Sequence, residues 1–116
     1  MQKKNKILSY VNGESNKPLL FKTVWEILEE AADSHPEKAA LISHHQNRTL
    51  SYKELLKEAG KVANGLLNTG LRKGDRIGIW APNCIEWVLL QFASAKIGAI
   101  LVTINPAYRK NELKYA

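Results

Sequence analysis

The chain has 116 residues, 45% of them hydrophobic and 24% charged. That length holds one small domain, and that balance excludes wholesale disorder. The formal net charge of +6 raises the question of an acidic partner, but the basic residues are scattered: Lys3, Lys4 and Lys6, then Arg72, Lys73 and Arg76, then Arg109 and Lys110. No aromatic residues interleave with them as a stacking platform would need, so nucleic acid is not the expected partner.

A single cysteine, Cys84, excludes an intrachain disulfide and a cysteine-rich zinc site, and fits a reducing compartment. Met1 to Lys6 is followed by only Ile7 and Leu8, which is no core for a secretory signal. Lysines in place of arginines, with Glu14 early, argue against a mitochondrial presequence. The apolar run from Trp87 to Ile104 is interrupted by Gln91, Lys96 and Gly98, so buried helix plus strand is expected in place of a membrane span. The cytosol is the expected compartment, with the mitochondrial matrix as the alternative.

In chain order, residues 1–20 read as an extended arm. Asn12-Gly13 and Asn16-Lys17-Pro18 are turn signals, and Leu19-Leu20-Phe21 offers an apolar anchor. Thr23 opens a helix, with Glu26 placed to complete a capping box. Val24, Ile27, Leu28 and Ala31 are its expected apolar face, and Glu26, Glu29, Glu30 and Asp33 its wet one. His35-Pro36 ends it, because a residue before proline resists helical geometry. Ala39 to Ser43 is a strand, His44 to Asn47 a turn, and Arg48-Thr49-Leu50 a short return strand. Ser51 then caps and Glu54 answers, with Leu50 and Leu55 at the two positions of a hydrophobic staple. Leu55, Leu56, Ala59, Val62, Ala63, Leu66 and Leu67 carry one stripe to Gly70.

Leu71 to Pro106 reads as strand, helix, strand. Arg76 to Trp80 follows a Gly74-Asp75 turn, and Asn83, with Glu86 three residues on, is the expected cap of the next helix. Gly98 supplies the left-handed residue that ends it. Ile100 to Ile104 lacks alternation, as expected of a strand covered on both faces. Two such strands joined by a helix form a parallel βαβ unit that needs neighbours. Asn105 to Tyr108 is a loop, and Lys110 to Ala116 begins a further helix. Between Cys84 and Ile97 the only charges are Glu86 and Lys96, so that helix is apolar nearly all round and demands cover on several sides. These features point to a piece of a larger α/β protein. Left partly uncovered, the Asn83–Ile97 helix predicts self-association.

At Leu50-Ser51-Tyr52-Lys53-Glu54-Leu55 the chain resembles the first core motif of the adenylate-forming enzymes, which include acyl-CoA synthetases, firefly luciferase and peptide-synthetase adenylation domains. The likeness continues through Gly65-Leu66-Leu67, Gly70 to Arg76, Trp80-Ala81-Pro82-Asn83 with Glu86-Trp87, and Lys96-Ile97-Gly98-Ala99. Asn105-Pro106-Ala107-Tyr108 with Glu112-Leu113 is similar to the fatty acyl-CoA synthetases. Ser9-Tyr10-Val11 with Gly13, and Lys17 to Leu20, are similar to the opening of the medium-chain group. The resemblance covers roughly residues 8–116 and implies the fold class: a partial N-terminal subdomain of an α/β adenylate-forming enzyme over residues 21–116.

For the complete enzyme the resemblance implies a fatty acid substrate, ATP, Mg2+ and coenzyme A. The Ser/Thr/Gly-rich phosphate loop, the Tyr-Gly-x-Thr-Glu-like segment, the ribose-binding Asp and the C-terminal Lys have no counterpart in these residues. No catalytic, cofactor-binding or metal-ligating residue is therefore carried over, and the expected role is an inactive N-terminal fragment of an ATP-dependent fatty acid–CoA ligase. The alternative is a short interaction or regulatory module that pairs with a full-length homologue through an unfinished sheet edge.

Local candidates for chemistry do not displace that reading. Gly60 and Gly65 have a Walker-like gap, but Leu66-Leu67 stand where Lys-Ser/Thr must be. Gly70, Gly74 and Gly78 precede a strand where a dinucleotide loop would follow one. Cys84 has no histidine near it in sequence, and His44-His45 have no third ligand at useful spacing. Trp25, Trp80 and Trp87 are expected to pack, with Trp80 at a strand end the one best placed to meet a ligand.

Overall fold

The computed structural model describes residues 13–14 and 16–116, and the expected arm over residues 1–20 falls largely outside them. Eight elements follow: α1 (Val24–Ser34), β1 (Ala39–Ser43), β2 (Arg48–Ser51), α2 (Tyr52–Asn68), β3 (Arg76–Trp80), α3 (Ile85–Ile97), β4 (Ile100–Ile104) and α4 (Lys110–Tyr115). β1 and β2 form an antiparallel hairpin, and β3 and β4 a parallel pair. α1, α2 and α3 pack on one another, the hairpin lies against α2, and α3 crosses back onto β4.

Both expected capping boxes are present. The Thr23 hydroxyl accepts from the Glu26 N–H at 3.2 Å, and the Glu26 carboxylate accepts from the Thr23 N–H at 2.6 Å. The Ser51–Glu54 pair repeats this at 3.3 and 2.8 Å. Leu50 and Leu55 are both buried, as the staple requires. They share the core with Trp25, Leu28, Ala59, Ile85 and Leu89.

The buried side of α1 differs from the expected one. Trp25, Leu28 and Ala32 go inside, Ala31 is half-buried, and Val24 and Ile27 are exposed. Apolar residues cover two adjoining stripes of this helix, and burial goes to the one carrying the larger Trp25 ring, which packs towards α2 and α3. Leu19, Leu20 and Phe21 are 70–96% exposed among the described residues. Leu67, at the end of the α2 stripe, is exposed as well.

The parallel pair runs in register from Arg76 opposite Ile100 to Trp80 opposite Ile104. Gly98 ends α3 in the left-handed region at φ 71°, where a β-carbon would stand 2.9 Å from Lys73 Cγ. Its carbonyl accepts from the Gly74 N–H at 2.9 Å, and the Ile100 N–H donates to Asp75 at 2.7 Å. These bonds tie the start of β4 to the turn before β3. β4 has the pattern of a strand that needs cover on both faces, and the parallel unit needs neighbours beyond its two strands. The sheet has two strands, so each keeps an unpaired edge, and Ile100, Thr103 and Trp80 are exposed. Hydrophobicity without alternation reports what a strand needs, and among the described residues that cover is partial on each face, with Ile100 exposed on one and Thr103 on the other.

The cap of α3 is a second correction. Asn83 does not cap it; the N-cap is Cys84, whose side chain makes no capping bond. The hairpin turn supplies the acceptor: Gln46 Oε1 accepts from the Ile85 N–H at 2.8 Å, and Gln46 Nε2 donates to Glu86 Oε2 at 2.9 Å. The buried Ser43 hydroxyl donates to the same Gln46 oxygen at 2.9 Å. An orphan N–H at the helix start thus finds its partner 39 residues away in sequence. Among the described residues, no helix is long and apolar enough to cross a membrane.

Candidate functional site

Two parallel strands end side by side at Trp80 and Ile104. Open α/β sheets place ligands outside the carboxyl ends of their strands, because the loops there diverge and leave a crevice. A cleft of about 750 Å³ lies there. One wall is Ala81-Pro82-Asn83 and Trp87, from the β3–α3 loop and the first turn of α3. The opposite wall is Thr103 to Pro106 and Tyr108, and His45 reaches in from the hairpin turn.

Local bonds shape the second wall. The Asn105 carboxamide oxygen accepts from the Ala107 N–H at 2.9 Å, and the Asn105 carbonyl accepts from the Tyr108 N–H at 3.0 Å. This side-chain-closed turn sets Tyr108 beside the cleft. On the first wall, Gln46 holds the start of α3 and so fixes Asn83 and Trp87 relative to His45. His45 Nδ1 lies 3.3 Å from the Ser43 hydroxyl. The Glu86 carboxyl is held below its ordinary value of 4.5, first by the Gln46 amide, then by a backbone N–H of its own. It stands on the first turn of α3, where the helix dipole also favours negative charge.

The lining contains no lysine, arginine, aspartate or glutamate. Such a wall suits aromatic stacking, apolar contact and amide or imidazole hydrogen bonds. It does not suit a triphosphate or a magnesium ion, which need cationic donors and carboxylate oxygens.

The residues singled out from sequence are dispersed. Trp25 is buried; its Nε1 donates to Glu29 at 2.6 Å, and Lys96 Nζ stands 4.2 Å above its ring. Gly60 packs against the same pair, since a β-carbon there would meet Lys96 Nζ at 3.7 Å and Trp25 at 4.0 Å. Trp80 is 51% exposed at the end of β3 and does not line the cleft, whereas Trp87 does. Cys84 is half-buried and shares a smaller cavity of about 460 Å³ with His44 and His45, an adjacency that sequence distance conceals. No group of three or more His, Cys, Asp or Glu side chains able to hold a metal occurs among the described residues. Sequence reading missed His45, Asn83 and Tyr108 as cleft residues. The one available signal was the position of the Asn83 and Tyr108 loops just after the two parallel strands.

Comparison with known proteins bears on this arrangement. The family model described as AMP-binding enzyme matches residues 28–116. The medium-chain acyl-CoA ligase ACSF2, mitochondrial, of Rattus norvegicus is 47% identical over 108 residues, which is 93% of this chain and 18% of that protein. The chain therefore spans under a fifth of the length of the curated relatives it matches. Among solved structures, the N-terminal domain of FACL13 from Mycobacterium tuberculosis superposes with a TM-score of 0.78 at 28% identity, over 81% of this chain and 24% of that one. The N-terminal subdomain of Klebsiella oxytoca NpsA, in complex with anthranilyl-AMSN, gives 0.76 at 30% identity, again over 81% and 24%. The mixed α/β arrangement of hairpin, parallel pair and four helices is thus that of the N-terminal subdomain of adenylate-forming enzymes, and with its family match running from Leu28 to Ala116 the chain belongs to the AMP-binding enzyme family.

Proposed function

We propose that this chain is the N-terminal section of an ATP-dependent fatty acid–CoA ligase, and that it contributes scaffold in place of catalytic groups. The observation that carries the reading is the 47% identity to a medium-chain acyl-CoA ligase across 93% of the chain. In the complete enzyme a carboxylate oxygen attacks the α-phosphate of ATP, forming an acyl-adenylate as pyrophosphate leaves. The thiol of coenzyme A then attacks the acyl carbon, forming the thioester as AMP leaves. Stabilising the charge on phosphorus needs Mg2+ and cationic donors. The uncharged lining of the cleft supports assigning those parts to other regions of such an enzyme. On this reading no residue of the chain is catalytic, cofactor-binding or metal-ligating.

The test is ATP–pyrophosphate exchange by the 116-residue polypeptide with Mg2+ and medium-chain fatty acids. No exchange is expected, and measurable exchange would overturn the assignment. Reading the DNA downstream of Ala116 is the cheaper companion: a frame continuing into a Ser/Thr/Gly-rich loop supports the ligase section.

The unpaired outer edges of β3 and β4 favour a second reading, an interaction module that pairs with a full-length homologue. A stop codon after Ala116, expression of the short form and its co-purification with that homologue would establish the module. The cytosol remains the proposed compartment. The mitochondrial name of the rat relative supports the matrix as the alternative, and subcellular fractionation separates the two.

A further inference from the structure

No further inference is drawn: the strongest candidate, the apolar groove between α1, α3 and the outer face of β4 lined by Val24, Trp87, Ala95 and Leu101, is an unpartnered face, and nothing in the structure shows what covers it.

Discussion

The hairpin-and-α2 side of the molecule and the β3–α3–β4 side distribute their apolar residues differently and reach different ends. On the first, Leu50, Leu55, Ala59 and Ala63 lie at 0–4% exposure, where α1, α2 and the hairpin meet one side of α3. On the second, Ile100 keeps 46% and Trp80 51% of its surface in water. The arrangement of apolar residues and the partners each needs separate the two. α2 needs only one face covered, because its apolar residues form one stripe beside a polar face. α3 is apolar around most of its circumference, and its strands need cover on two faces and both edges. Among the described residues, the one-sided stripe of α2 finds its cover, while the strands β3 and β4 keep exposed apolar groups.

Substitutions test that contrast directly. Leu55→Ala should show the largest effect, a loss of about 2–5 kcal/mol by chemical denaturation, because the side chain is 3% exposed and leaves a cavity. Ile100→Ala should change stability by less than about 0.5 kcal/mol. Equal losses at the two positions would mean that the β3–β4 pair is covered in solution.

Next comes the clamp between the two halves. Gln46→Ala strips the acceptor from the Ile85 N–H and from the buried Ser43 hydroxyl, which should cost about 1–3 kcal/mol. Asn83→Ala should be close to neutral, since Asn83 does not cap α3. A reversed order in thermal unfolding would restore Asn83 as the cap. Ser51→Ala, which removes a purely local cap on the closed side, should cost about 1 kcal/mol in the same assay.

The smallest effect is expected from acid. Glu26, Glu54 and Glu86 all have carboxyls held below 4.5, by the Thr23 N–H, the Ser51 N–H and the Gln46 amide respectively. Depressed values in the folded state mean that their stabilisation is complete above the unfolded value near 4.5. It is lost as pH falls through the folded values. The melting midpoint should therefore be flat near neutrality and decline below about pH 4.5, with a shallower decline in Glu54→Gln. All three carboxylates are solvent-exposed, so the slope should be modest.

The open half also bears on association. Sedimentation of the isolated chain should show concentration-dependent self-association, driven by the exposed apolar groups of the β3–α3–β4 side. A single monomeric species across a wide concentration range would show those faces to be tolerated in water.

Signals contained within a few residues were legible before any coordinates. The Thr23–Glu26 and Ser51–Glu54 boxes, the Gly98 stop, and the limits of β1, β3, α2 and β4 depend on spacing and backbone preference alone. The family too was readable in the order of short motifs from Leu50 to Leu113. The choice of Trp25 over Val24 as the buried side of α1, the gathering of His45, Asn83, Trp87 and Tyr108 around one cleft, and the capping of Ile85 by Gln46 were not. Each joins groups from distant stretches of chain. Which of several apolar stripes is buried, and which polar group meets an orphan N–H, is settled by whatever packs alongside, and no local pattern carries that information.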